Sequence, residues 1–325
     1  VQLKNVPIDQ SVGAMLVHNI MGADGSKAFA KGHAVRADDI DRLRALGKTT
    51  VYAAVLDRDD VPEDEAVARL ARAVAGDGVA SSQPSGGRVN FYAAQRGALR
   101  LNVGALQRLN ELNGITLATI PRYTAVAPKK MIATLKTIGL ALPEATLRAA
   151  EDIVRARGVV LSIAPVQNQK VAIVLTGSEN GKTKVQATFA PPIRARIEEL
   201  GAQVVAEHYV AEDEDAIAGA IDQVTRAGAQ VIVLAGETSV MDADDIVPRG
   251  IQQAGGAIEL YGAPVEPGNL LLLAYRGDVP IIGAPGCVKS RETNVVDLIL
   301  PRLLAGERVT RADVNALAEG GLLVG

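Results

Sequence analysis

Three polar loops in the C-terminal half of the chain carry the residue types from which a site could be built. The first, Gly177-Ser178-Glu179-Asn180-Gly181-Lys182-Thr183, follows the apolar run Val171-Ala172-Ile173-Val174-Leu175 and Thr176. A glycine loop ending in Lys-Thr after a buried strand has the form of a nucleoside triphosphate cradle, in which successive backbone N–H groups wrap the phosphates. That cradle needs four residues between its glycines; three stand here, and the count argues against it. The second loop reads Ala235-Gly236-Glu237-Thr238-Ser239-Val240-Met241-Asp242-Ala243-Asp244-Asp245. Gly236 lets a backbone approach a ligand, Thr238 and Ser239 offer hydroxyls, and the carboxylates could hold a hard cation through oxygen. The plain alternative is capping, with Asp242 or Asp244 at a helix N-cap and Asp245 in the first turn, each worth about 0.3–1 kcal/mol. The third loop, Gly283-Ala284-Pro285-Gly286-Cys287-Val288-Lys289-Ser290, precedes a predicted helix whose N-terminus could hold an anion, with Lys289 placed for phosphate. Cys287 has no histidine near it in sequence, which favours an incidental thiol over a nucleophile. His18, His33 and His208 lack metal-ligand spacing, and no G-x-G-x-x-G follows a predicted strand.

These loops need a scaffold, and the pattern between them supplies one. The run 171–175 reads as a buried strand. Beyond Pro192, Ile193, Ile197 and Leu200 recur at helical spacing, Gly201 stops the helix, and Val204-Val205 begins another strand. A helix over 216–227, a strand over 231–234 and a helix over 244–254 follow. Apolar segments at 270–274 and 280–283 and an apolar-striped helix over 294–304, with Leu298 and Leu303 facing the core, complete the series. Strands alternating with helices predict a doubly wound, mostly parallel α/β sheet, which places ligands outside the carboxyl ends of its strands. The loops at 176–181, 236–245 and 284–290 should then share one rim.

The first part of the chain has another texture. Short strands over 14–20 and 50–55 flank a helix over 37–46 that Gly47 ends, and a second helix covers 66–75. Residues 81–88 form a polar turn region, 124–138 reads as strands around a Pro-Lys-Lys turn, and 142–157 as a helix. The acidic cluster over 57–65 reads as a helix start and a solvated face. This predicts a separate mixed α+β N-terminal domain, residues 1–165, ahead of the α/β domain at 166–325; Pro165, Gln167, Asn168 and Gln169 interrupt the apolar pattern at the junction.

Composition narrows the function. The 325 residues are 48% hydrophobic, enough for two cores. A formal net charge of -3 and 3% aromatics without tryptophan give neither the basic field nor the stacking rings that nucleic acid requires. No apolar stretch approaches the ~20 residues of a membrane span. The single cysteine and a first segment without a basic start and apolar run make a reducing cytoplasm the expected compartment.

Taken in order, the loops resemble the molybdopterin-binding family of adenylyltransferases and molybdenumtransferases. Its pattern is a strand ending in Thr-Gly-Asp-Glu, a strand ending in Ser-Gly-Gly-x-Ser-x-Gly-Asp/Glu-x-Asp, a Lys-Pro-Gly turn and Leu-Pro-Gly-Asn-Pro-x-Ser. Thr176-Gly177-Ser178-Glu179, 235–244, Glu266-Pro267-Gly268 and 284–290 answer it in turn. The likeness covers 166–306, with a weaker match of 14–20 and 31–46 to the molybdenumtransferase N-terminal region. It implies a site for molybdopterin, a pterin phosphate, or its nucleotide derivative, formed by Thr176, Gly177, Ser178, Glu179, Gly236, Glu237, Thr238, Ser239, Pro267, Gly268, Pro285, Gly286, Cys287, Lys289 and Ser290. It also implies Mg²⁺ on Asp242, Asp244 and Asp245. Asp244 falls on the acidic position required for catalysis in the molybdenumtransferases and Asp242 on its neighbour; Asp245, three residues before Pro248, matches the adenylyltransferase spacing.

Three residues depart from the family pattern: Glu237 stands for glycine, Ser178 for aspartate and Cys287 for asparagine. A carboxylate at 237 should repel a phosphate unless a cation intervenes or the side chain turns away. Three functions stay open: a module that binds molybdopterin without turnover, a Mg²⁺-dependent molybdopterin adenylyltransferase or molybdenumtransferase, and a nucleotide-binding regulatory protein on the same scaffold. A homo-oligomer is implied by the relatives.

Overall fold

A computed structural model describes residues 1–323 except 239, 241 and 243. The chain divides into two compact units, one made of Val1–Ala94, Arg100–Ile120 and Lys129–Ser162, the other of Gln95–Leu99, Pro121–Pro128 and Ile163–Gly325.

The first unit is mixed α+β. Gln2–Pro7, Thr50–Val55 and Met15–Leu16 form an antiparallel sheet, and Ile115–Thr119, Met131–Thr137, Arg88–Ala93 and Val79–Ser81 form a second. The expected strand over 14–20 is two short pieces, Met15–Leu16 and Ile20–Met21, each paired elsewhere. The helix Asp39–Ala45 ends before Gly47, whose φ of 69° suits glycine. Helices Glu63–Val74 and Glu144–Arg157 are joined by Arg69, which donates to Glu144 (2.7 Å) and Glu151 (3.0 Å).

The second unit carries the site. The strands of its six-stranded sheet, numbered within this sheet, are β1 (Lys170–Thr176), β2 (Gln203–Val210), β3 (Val231–Gly236), β4 (Ala257–Tyr261), β5 (Leu272–Arg276) and β6 (Val279–Gly283). Its helices are α1 (Lys182–Glu199), α2 (Glu214–Arg226), α3 (Ile246–Gln253), α4 (Val295–Leu304) and α5 (Arg311–Asn315). The strands lie in the order β2-β1-β3-β6-β5-β4, with β2, β1, β3 and β6 parallel and β5 reversed between β6 and β4. The sheet is thus mostly parallel, as the alternation of strand and helix predicts.

Strand alternation explains the double winding. Val171, Ile173 and Leu175 face a core with Val185, Phe189, Ile193 and Ile197 of α1 and Val295, Ile299 and Leu303 of α4. Ala172 and Val174 point to the opposite face, where Ile217, Ile221 and Val224 of α2 and Val247 and Ile251 of α3 cover them. A sheet buried on both faces needs strands apolar at every position, which is how β1 and β3 read. Each Val, Leu or Ile so buried contributes about 1.5–3 kcal/mol of transfer free energy.

Local differences from the sequence reading have identifiable causes. Helix α1 begins at Lys182, ten residues before Pro192, and holds Pro191 and Pro192 in its interior. Packing of Val185 and Phe189 against β1 outweighs the two missing N–H donors. Helix α3 starts at Ile246 rather than 244, because Asp245 takes the N-cap and accepts from the Ile246 N–H (2.8 Å). Strand β5 lies two residues later than 270–274, after a turn in which the Leu271 N–H donates to the Gly268 carbonyl. Strand β4 gave no signal that the pattern reading used; it is an edge strand directly after Gly255-Gly256. No described helix is long and apolar enough to cross a membrane.

Candidate functional site

Because β1, β3 and β6 are parallel neighbours, their carboxyl ends reach one edge of the sheet. Thr176 pairs with Gly236 and Leu234 with Gly283, so the three loops leave the sheet side by side. The first contact between them is tight. The Glu237 N–H donates to the Thr176 carbonyl at 2.9 Å, and a Cβ on Gly236 would stand 2.2 Å from Thr176 Oγ1. Gly236 is therefore required by a buried hydroxyl from the neighbouring strand.

The first loop turns sharply. Ser178 caps it, its hydroxyl accepting from the Gly181 N–H at 3.1 Å, and Lys182 then opens α1. Glu237 reaches across from the second loop, and its Oε2 accepts from the Ser178 N–H (2.9 Å) and the Ser178 hydroxyl (2.8 Å). Those two hydrogen bonds, the backbone one foremost, hold the Glu237 carboxyl below the usual carboxylate range, and Lys184 adds to the effect. Tyr209 at the end of β2 donates to the Ser178 carbonyl at 2.6 Å, and the Lys182 ammonium lies 5.7 Å from its ring centre.

Between these loops lies an open cleft of about 550 Å³ lined by Gly177, Ser178, Glu179, Ala211, Glu212, Glu237 and Thr238. It is acidic. Burial, and then Asp245 and Glu237, push the Glu212 carboxyl up. Burial first, followed by Glu237, Glu179 and Glu212, raises the Tyr209 phenol. Thr238 hydrogen-bonds Glu212. Tyr209 and Glu212 lie beyond Val204-Val205, the only part of β2 that stands out as apolar in the sequence. The strand runs on to Val210, so 211–213 is a fourth loop on the same rim. Extending the pattern from Val204 through Val210 would have found it.

The acidic loop is turned on itself. Asp242 Oδ1 accepts from the Asp244 N–H (2.9 Å), Asp245 caps α3, and the Asp244 carbonyl accepts from Arg249 (2.6 Å). Tyr261 ties this loop down by donating to the Val240 carbonyl (2.8 Å). Among the described residues no three His, Cys, Asp or Glu side chains gather as metal ligands. Asp242 and Asp245 thus each give one carboxylate oxygen to an amide of the loop and helix start. Ser239 lies outside the described residues.

The third loop is built on α1. It makes one tight helical turn, Gly286–Lys289, with Val288 fully buried. Arg196, itself buried, donates to the carbonyls of Val288 (2.9 Å), Ser290 (2.8 Å) and Glu292 (3.0 Å) and to Asp297 Oδ1 (2.9 Å). Ser290 Oγ accepts from the Glu292 N–H. Cys287 is half-buried and burial raises its thiol, which suits an inert side chain. Gly283 and Ala284 meet Thr176 and Gly236 at a small cavity beneath the rim, whereas Pro285, Gly286, Cys287, Lys289 and Ser290 do not line the acidic cleft. Pro267 and Gly268 sit at the start of α4: the Pro267 carbonyl accepts from the Val295 N–H, and a Cβ on Gly268 would meet Val295 Cγ1 at 2.4 Å.

Residues 172–305 match the family model of a probable molybdopterin binding domain, and residues 5–55 match that of a domain of unknown function. No curated protein matches the chain. Among solved structures it is similar to the protein CinA, of unknown function, from Thermoplasma acidophilum (17% identity, 42% of this chain, 98% of that one, TM-score 0.35). It is also similar to a putative molybdenum cofactor biosynthesis protein from Corynebacterium diphtheriae (16%, 43% and 98%, TM-score 0.33). A molybdopterin biosynthesis MoeA protein from Pyrococcus horikoshii covers more of the chain (13% identity, 94% of this chain, 75% of that one, TM-score 0.31). Residues 172–305, which carry the rim loops, thus form a domain of the molybdopterin-binding family of molybdenum cofactor biosynthesis.

Proposed function

We propose that the C-terminal unit binds molybdopterin or its nucleotide derivative at the rim without turning it over, so that the protein handles the pterin rather than transferring groups to it. The observation that carries this reading is the convergence of the β1, β3 and β6 carboxyl ends on one edge, within the stretch that matches the family model. Such an edge is where doubly wound sheets receive ligands. Binding is favoured over adenylyl transfer or molybdate insertion because Asp242 and Asp245 each give one carboxylate oxygen to a backbone N–H, of Asp244 and Ile246, which leaves less of the acidic loop for a cation. Transfer of an oxyanion needs carboxylates free to hold a cation against it.

The test is calorimetric titration of the full chain with molybdopterin under anaerobic conditions, with and without Mg²⁺ and ATP, together with assay of nucleotide consumed. Pterin binding with no ATP consumption and no molybdate transfer is the expected result. ATP consumption dependent on pterin would establish the transferase instead. Nucleotide binding without pterin binding would establish a nucleotide-binding regulatory role. The same reading takes the protein to be a cytoplasmic homo-oligomer, and sedimentation in dilute buffer tests the assembly.

A further inference from the structure

The geometry points to Glu237 as a specificity-determining residue, an internal anion that occupies the donor groups of the first rim loop and closes them to phosphate. This rests on the rim being the ligand site and names which ligand groups that rim refuses.

Ser178 lines the cleft, and its N–H and hydroxyl are both satisfied by one oxygen of Glu237, at 2.9 and 2.8 Å. The two glycines of the loop make room for that carboxylate. A Cβ on Gly177 would lie 3.0 Å from Glu237 Oε2, and a Cβ on Gly181 would lie 2.5 Å from it. The bare backbone there accommodates a side chain of the protein itself. The surroundings reinforce the exclusion, since Glu179 and Glu212 line the same cleft. A phosphate entering the loop must displace a carboxylate already hydrogen-bonded there and then sit among acidic side chains, with like-charge repulsion at both steps. Ligands whose phosphate lies elsewhere on the rim, or that offer a neutral or cationic group at this point, meet no such opposition. The identity of residue 178 fits this assignment: a serine donates to Glu237, whereas an aspartate would repel it.

The experiment titrates inorganic phosphate into the isotope-labelled full chain and follows the Ser178 and Gly181 amides by NMR, in the wild type, Glu237→Gly and the near-isosteric Glu237→Gln. Amides elsewhere in the sheet report that each variant keeps its fold. In the wild type the two amides should stay unmoved. In Glu237→Gly they should show a saturable shift with affinity at least about tenfold tighter, and Glu237→Gln should fall between. Equal phosphate response in the wild type and Glu237→Gly overturns the proposal, as does Glu237→Gly failing to respond at those amides. Molybdopterin titrated into the same samples decides the separate question of pterin binding: its failure to bind any variant overturns the proposed function, while the phosphate response still decides the role of Glu237.

Discussion

Replacing Arg196 with methionine isolates what holds the third rim loop. The side chain is buried and makes four well-formed hydrogen bonds, to the Val288, Ser290 and Glu292 carbonyls and to Asp297. Methionine keeps most of the aliphatic stem and none of the donors. Val288 is fully buried, so its carbonyl loses its donor without reaching water, while Asp297, whose side chain is 30% exposed, loses its cationic partner. Breaking a buried pair by removing one partner costs about 3–5 kcal/mol, and hydrogen bonds to a charged group are worth about 1.5–3 kcal/mol each. These are overlapping descriptions of one loss and should not be added, so the expectation is about 3–5 kcal/mol. For a unit of this size that lowers the melting midpoint by about 6–20 °C. Calorimetry of the full chain should show one transition displaced and the other little changed, and hydrogen exchange should show faster exchange confined first to residues 286–292. Arg196→Lys, which keeps a charge but lacks the planar fork, should recover only part of the loss. A loss below about 1 kcal/mol in Arg196→Met, with exchange in the loop unaltered, would refute the idea that this guanidinium organises the loop.

Three further expectations can be checked directly. Gly236→Ala puts a methyl 2.2 Å from Thr176 Oγ1, so it should destabilise by about 1–3 kcal/mol in urea titration; a companion Thr176→Ala change should recover part of this, and unaltered stability of Gly236→Ala would contradict the packing described. At Asp313, burial acts upward but is outweighed by hydrogen bonds from the Thr310 hydroxyl and amide and from Arg302, which hold the carboxyl at about 2 against an ordinary 3.8. A depressed carboxylate stabilises above its unfolded value and loses that contribution as pH falls, so about 2 kcal/mol should disappear between about pH 4 and 2, and Asp313→Asn should flatten that stretch of the stability profile. The Cys287 thiol, half-buried and raised, should react with iodoacetamide more slowly than a free thiol at pH 8 and accelerate on denaturation; fast native labelling would contradict its placement.

The architecture was legible because parallel strands buried on both faces have to be apolar throughout, and Val171 to Leu175 and Val231 to Leu234 are. Once those strands were placed, the shared rim followed from topology. What the residues did not disclose were contacts between loops distant in sequence. The spacing treats Ser178 and Glu237 as two separate departures from a family pattern. The structure makes them one interaction, the serine donating to the glutamate. The carboxylate repulsion foreseen at 237 is met by the side chain turning onto Ser178. The caps were ambiguous for a related reason: Asp242, Asp244 and Asp245 are equivalent on composition, and only the packing of Val247 and Ile251 under the sheet sets Ile246 as the first helical residue. Proline was misleading as a boundary, since Pro191 and Pro192 lie within α1.

That pair of prolines gives the rim a mechanical joint. Helix α1, about 27 Å long, starts against the first loop at Lys182 and grips the third through Arg196. Without N–H donors at 191 and 192, the carbonyls of Ala187 and Thr188 have no partner in the helical ladder, so the rod bends most cheaply between its two attachments. Just beyond that point the Pro192 carbonyl accepts from Arg196 (3.3 Å) and Arg291 (3.4 Å). Loosening either guanidinium should therefore free the third loop before it disturbs the first, which is attached on the other side of the prolines.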